Sequence, residues 1–245
     1  MSELSRIFTK DNLDYYLREL AKEYKKVAGR NTPAEIVLVG GAAVLVDYGF
    51  RDSTTDIDAL ICAATAMKDA MGRVRDRYNL PEGWINTDFR KTGSYSNELL
   101  RCSRHYKSFL QILNVRVVTG EYLLAMKLRA FREYKNDTSD IVGIFMEEHS
   151  KRGERFTFER IDRAVKELYG SWDEITPEAK EFLDELFVCN NYDVLYSRTR
   201  QNELKAKQML VEVQENFPEV LKQEGVKEVL RKLRAKKEAA KQEES

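Results

Sequence analysis

The stretch from Val39 to Leu60, VGGAAVLVDYGFRDSTTDIDAL, limits what this chain can fold into more than any other. A β-branched run from Ile36 to Val39 enters a Gly-Gly pair, and the apolar residues Ala42 to Val46 follow directly. This order predicts a buried strand that turns at Gly40 and Gly41 into a helix, which Gly49 ends. After a polar loop holding Arg51, Ser53, Thr54 and Thr55, the span Thr55 to Ile61 reads as a second strand. Side chains alternate across a strand, so Asp56 and Asp58 share one face while Ile57 and Ala59 point into the core.

The two halves are chemically complementary. A helix start exposes free backbone N–H groups and the positive end of its dipole, and glycines let a polyanion come close. Two carboxylates about 6.5 to 7 Å apart at Cα, on one face of a strand, can converge on a hard cation. An acceptor for phosphate beside a holder of magnesium is the minimum equipment for phosphoryl or nucleotidyl transfer. A D-x-D alone is commonly solvated surface; the Gly-Gly one helix upstream gives this one its weight. Arg51 and the loop hydroxyls, Thr55 among them, either touch a triphosphate or are simply solvated.

G-G followed by D-x-D resembles the nucleotidyltransferase superfamily, whose fold is shared with DNA polymerase beta. The G-G-A-A run with R-x-S-T-T-D-I-D is most similar to bacterial minimal nucleotidyltransferases of the AbiEii-type toxin branch. Farther on, L-L-A-x-K-L-x-A-x-R and then D-x-x-D-I are similar to the same branch. The resemblance implies an α/β (α+β) fold with a small mixed sheet flanked by helices. It also implies Mg2+ at Asp56 and Asp58, an NTP over Gly40 and Gly41, and Lys127, Arg132, Asp137 and Asp140 in the active site. Read without the resemblance, Lys127 is a lysine whose stem packs on the core and whose charge either meets a triphosphate or reaches the surface. Asp137 equally suits an ordinary helix N-cap. The superfamily carries a third carboxylate on a later strand, yet the strand expected at Ser108 to Thr119 has none. Activation of an attacking hydroxyl then falls to Asp88, Asp137, Asp140 or the acceptor itself.

Composition narrows the setting. With 245 residues and 41 basic against 41 acidic side chains, the chain has no global nucleic-acid signature, so any basic surface is local. No apolar run approaches the ~20 residues that span a bilayer, and no signal-peptide core opens the sequence, so a cytoplasmic protein is expected. Cys62, Cys102 and Cys189 lack metal-like spacing and read as reduced thiols. Two histidines, His105 and His149, are too few for a histidine-built metal site.

In chain order, Thr9 to Val27 predicts a helix capped by Thr9 or Asp11, and Thr65 to Tyr78 a second one. Residues 86–107 read as a long irregular segment in which Arg90, Lys91, Arg101, Arg104, His105 and Lys107 alternate with aromatic rings. Such a segment suits an RNA acceptor or is merely a soluble connection. Ser108 to Thr119 predicts a strand or a hairpin centred on Asn114, and Gly120 to Tyr134 a helix. Helices follow near 138–150, 157–169, 177–188 and 199–214, and a last one starts near Pro218. The basic face of that last helix, with Lys227, Arg231, Lys232, Arg234, Lys236 and Lys237, either docks nucleic acid or a partner or is solvated.

The reading is a catalytic domain over 1–150 followed by an α-helical domain over 151–245. It transfers a nucleoside monophosphate from an NTP to a hydroxyl on RNA, protein or a small molecule. The resemblance adds tRNA as one type of acceptor, a toxin or phage-defence role and a cognate antitoxin. Two rivals stand beside it: a catalytically silent nucleotide-binding module, and antibiotic nucleotidylation, against which the basic aromatic segment argues.

Overall fold

Thr9 opens the first helix. Its hydroxyl accepts from the Asn12 N–H at 3.4 Å while the Asn12 side chain accepts from the Thr9 N–H at 2.8 Å, a reciprocal cap for α1, Lys10–Ala28. The computed structural model describes residues 7–150, 153, 156–216, 225–226, 228–233 and 235. Leu13, Leu17, Leu20 and Tyr24 form the buried stripe of α1.

Among the described residues five strands form one mixed sheet: β1 (Ala34–Leu38), β2 (Ile57–Cys62), β3 (Ile85–Asn86), β4 (Ser103–Phe109) and β5 (Leu113–Val118), in the order β3-β2-β1-β5-β4. β1 runs antiparallel to β2 and parallel to β5. β2 pairs parallel with β3, and β4 antiparallel with β5. Between β1 and β2 lies α2, Gly40–Asp47, and after β2 comes α3, Ala66–Tyr78, which packs on α1. Then α4 (Gly120–Ala130) and α5 (Asp137–Ser150) lead into α6 (Phe158–Tyr169), α7 (Pro177–Val188) and α8 (Tyr192–Asn216). The expected α/β sheet flanked by helices, with a helical C-terminal region, is therefore present. One apolar core joins them, from Phe8 through Ile36 and Val115 to Ile161, Leu183 and Leu195.

Five local expectations are corrected. The second strand starts at Ile57 rather than Thr55, which leaves Asp56 in the bend before it. The hairpin turns at Leu110 and Gln111, both left-handed (φ 52° and 57°), while Asn114 stands in the ladder opposite Ser108. α4 stops at Ala130, four residues early, because Phe131 adopts φ 34° and donates its N–H to the Lys127 carbonyl at 2.8 Å. The segment 86–107 is not irregular throughout. It holds the second residue of β3, 3-10 turns at Asp88–Lys91 and Asn97–Leu99, and the first five residues of β4. α8 also begins seven residues before the expected 199. Of the last helix, Pro218, Lys227, Arg234, Lys236 and Lys237 lie outside the described residues; Val229 and Leu230 are buried.

α5 organises the loop between α2 and β2. The Gly49 N–H donates to Glu147 at 2.7 Å, and the Tyr48 hydroxyl donates to Glu148 at 2.9 Å. The Phe50 ring packs against Gly143, where an added Cβ would sit 2.4 Å from a ring carbon. Gly143→Ala is therefore expected to destabilise the protein by about 1–3 kcal/mol, the cost of overpacking a filled core, read as a lower urea midpoint. An unchanged midpoint would mean that Phe50 is not seated there.

Candidate active site

Antiparallel pairing of β1 and β2 places the end of one strand beside the start of the other. In the register, Leu38 faces Ala59, and the Val39 N–H donates to the Asp58 carbonyl at 3.0 Å. The next residue, Gly40, thus meets the Asp58 side chain, and a Cβ built on Gly40 would lie 3.2 Å from Asp58 Oδ2. A one-residue slip would turn Asp58 into the core, and buried Ile57 and Ala59 hold the register against it.

Gly40 has two reasons to be glycine: that approach and its left-handed φ of 55°. Gly41 has a third-party reason, since its Cβ would stand 2.7 Å from the Thr54 hydroxyl and 2.8 Å from an Arg51 guanidinium nitrogen. No side chain caps α2, whose N-cap residue is Val39. Gly40 and Gly41, the first residues of that helix, line a cleft, and a helix start without a side-chain cap suits an anion. Gly40→Ala is expected to cost about 1–2 kcal/mol through its backbone angle alone, measurable by denaturant titration.

Asp58 is mostly buried beside exposed Asp56. Burial pushes the Asp58 carboxyl above its ordinary pKa and the charge of Asp56 adds to the rise; Lys127, Arg132 and a hydrogen bond from Asn86 oppose it without reversing it. Thr55 is exposed and donates its hydroxyl to Asp56 at 3.3 Å. The strand that neighbours Asp58 is β3, and it presents Asn86, not a carboxylate, opposite Asp58. The strand expected to face the acid pair, β5, lies on the far side of β1.

Behind the acid pair runs a buried ion-pair chain. Lys127 Nζ lies 2.8 Å from Asp137 Oδ1 and 2.8 Å from Asp140 Oδ2. Arg132 Nε reaches Asp137 Oδ2 at 2.8 Å, and Arg51 Nη1 reaches the Asp140 oxygens at 2.6 and 2.9 Å. Lys127 is 7% exposed, Asp137 0% and Asp140 2%, so the lysine does not reach out to the surface. The Asp137 carboxylate goes to Lys127 and Arg132, while the Ser139 and Asp140 N–H groups go to Glu203 and the Asn136 carbonyl, so Asp137 is not an ordinary cap of α5. Burial pulls the Lys127 ammonium down and the two carboxylates more than reverse it, leaving its pKa raised. Burial pushes Asp137 up, yet Lys127 and Arg132 win and bring it to about 2. Three cations share two carboxylates, which leaves one net positive charge in this wall.

The early stop of α4 makes the chain possible. The left-handed Phe131 turns the backbone so that Arg132, through its N–H as well as its side chain, grips Asp137 five residues on. All of Gly40, Gly41, Arg51, Thr55, Asp56, Asp58, Lys127, Asp137 and Asp140 line one cleft of about 1290 Å3. Asp88 lines it too, paired with Lys91 at 2.7 Å and largely exposed. α8 supplies the far wall through Tyr196, Arg200, Lys207 and Val211. Sequence reasoning missed Asn86, which sits on a two-residue strand without periodicity, and the α8 residues, which match no motif.

The cations of the 86–107 segment are mostly committed: Arg101 to Glu98, Arg104 to Asp47, Lys107 to Asp14, with Arg90 over the Tyr95 ring at 5.3 Å. The three cysteines are free thiols. Among the described residues no group of three or more His, Cys, Asp or Glu could hold a metal, and no helix is long and apolar enough to cross a membrane.

A family model described as "Nucleotidyltransferase of unknown function (DUF6036)" matches residues 15–148, more than half of the chain, from within α1 to near the end of α5. No curated protein and no solved structure gives a match.

Proposed function

Because the chain belongs to the DUF6036 family of nucleotidyltransferases of unknown function, we propose that its cleft moves a nucleoside monophosphate from an NTP to an acceptor hydroxyl and releases pyrophosphate. The observation that carries this reading is the contact of Gly40 with Asp58, which puts an uncapped helix start and a carboxylate pair side by side.

Magnesium fits the donor set. Asp56 and Asp58 offer hard carboxylate oxygen donors on the lining of the cleft. Magnesium is commonly held by one or two carboxylates with phosphate oxygens and water completing its shell, so a third protein carboxylate is not required. When bound there it would offset charge on the phosphates and on the attacking and leaving oxygens.

The chain's own groups do the rest. The first amides of α2 receive the phosphate tail, and the glycines let it lie against the backbone. The net positive wall of Arg51, Lys127 and Arg132 offsets the remaining charge. The acceptor oxygen attacks the α-phosphorus, the bond to the bridging oxygen of pyrophosphate breaks, and the hydroxyl proton leaves to a base. Asp137 and Asp140 are occupied by buried cations and serve as positioning residues. Asp88, exposed on the cleft rim, is the better placed of the three to take that proton.

The finer reading, an AbiEii-type toxin with a tRNA acceptor and an antitoxin partner, rests on the shared motifs around Asp56, Lys127 and Asp140. The paired cations of the 86–107 segment lend the RNA acceptor little support, and a protein acceptor remains its equal. Incubation with each α-labelled NTP plus total RNA or protein extract, wild type against Asp58→Ala, tests transfer. Labelled product from wild type alone supports the enzyme. Magnesium-dependent binding with no labelled product in any extract would favour a silent nucleotide-binding module instead.

A further inference from the structure

Glu203 is a charged residue of α8 that the proposed chemistry does not use, and it is 3% exposed. Both of its carboxylate oxygens go to the first turn of α5. Oε1 accepts from the Ser139 N–H at 2.9 Å and from the Thr138 hydroxyl at 2.6 Å, and Oε2 accepts from the Ser139 hydroxyl at 2.6 Å. Arg200, on the same helix, donates to Asn136 Oδ1 at 2.7 Å and lies 3.6 Å from Glu203 Oε2. α8 thus holds Asn136, Thr138 and Ser139, and the residue between them is Asp137, the buried partner of Lys127 and Arg132.

A helix start leaves N–H groups without partners, and a carboxylate satisfies them. Most helices take that acceptor from a neighbour in sequence; α5 takes it from a residue 64 positions away. A buried carboxylate is an expensive means of packing two helices, since burial raises the Glu203 pKa even against its hydrogen bonds from Ser139 and Thr138. What a carboxylate provides and an aliphatic side chain does not is a fixed position for three donors at once.

We infer that Glu203 is a positioning residue. It fixes the first turn of α5 so that Asp137 and Asp140 hold the Lys127 ammonium in the cleft wall. The inference rests on the reading of Lys127 as a triphosphate contact, but its geometric half can be tested without nucleotide.

The test uses the full chain as wild type, Glu203→Ala, Glu203→Gln, and Leu204→Ala as a control on the exposed side of α8. The 15N resonance of the Lys127 ammonium, assigned by its loss in Lys127→Met, reports the ion pairs directly. Magnesium with each of the four NTPs in turn, followed by calorimetry, reports binding. Glu203→Ala is expected to shift or broaden the ammonium signal and to weaken binding about 10- to 100-fold, the usual effect of losing a supporting partner. Glu203→Gln keeps one acceptor oxygen for the Ser139 N–H and is expected to restore most of both, with Leu204→Ala changing neither. A Lys127 signal that stays in place in Glu203→Ala, whatever the melting temperature does, overturns the inference. If the signal moves in Glu203→Ala while wild type binds no NTP, Glu203 keeps its positioning role and the nucleotide reading falls. Should Glu203→Ala not fold, Thr138→Val and Ser139→Ala each remove one donor, with a smaller displacement expected and the same overturning result.

Discussion

Asp58→Asn is expected to lose about two to three orders of magnitude of nucleotidyl transfer, the several kcal/mol that a held metal contributes to a transition state, while melting at a higher temperature than wild type. Both effects have one cause. The Asp58 carboxyl is raised by burial and by Asp56, so the folded protein holds its proton more tightly than the unfolded chain does. At neutral pH the ionised group therefore opposes folding. That penalty shrinks as pH falls through the raised folded value and is gone below the unfolded value of about 3.9. The thermal gain of the asparagine variant should follow the same course, present at pH 7 and absent near pH 3. Calorimetric melting of both proteins across that range checks it; an asparagine variant less stable than wild type at pH 7 would show that Asp58 is well satisfied without a cation.

Lys127→Met carries the largest expected stability loss, at least about 3 kcal/mol, toward the lower end of what breaking a buried ion pair costs. The figure stays low in that range because Arg132 and Arg51 remain to hold Asp137 and Asp140. The pH dependence has the opposite sign to that of Asp58. Asp137 is brought down to about 2 in the folded protein, so its contribution is complete above the ordinary aspartate value of about 3.9 and lost as pH falls toward 2. The gap between wild type and Lys127→Met in urea denaturation should thus be widest at neutral pH and narrow below about pH 4, where the stranded carboxylates can take up protons. A gap that is small at pH 7, or that widens in acid, would mean that the lysine and its two carboxylates do not form one network.

What could be read from the sequence were features whose cause is local. α7 was expected at 177–188 and lies there, because Thr176 caps it and Pro177 occupies its first turn. The Gly-Gly bend and Asp58 were legible as strand, turn, helix and strand, with Asp56 falling one residue short of that second strand, and the sheet brings them together because β1 and β2 are antiparallel. Leu110 and Gln111 gave no turn signal, since neither residue favours the left-handed backbone that it adopts there. Phe131 hid the end of α4 in the same way. Lys127 was visible as a motif residue, but its burial between Asp137 and Asp140 depends on the chain doubling back after Phe131. Glu203 was invisible because the helix start it serves is 64 residues away.

The measurement nearest the heart of the proposal replaces magnesium by paramagnetic manganese in the presence of a non-hydrolysable NTP and follows backbone amide signals. If one cation and its polyphosphate bridge the glycine bend and the acid pair, the amides of Gly40, Gly41, Ile57 and Asn86 broaden together, and Asp58→Asn abolishes the effect. Broadening confined to some other acidic surface, or the same broadening in Asp58→Asn, would contradict it.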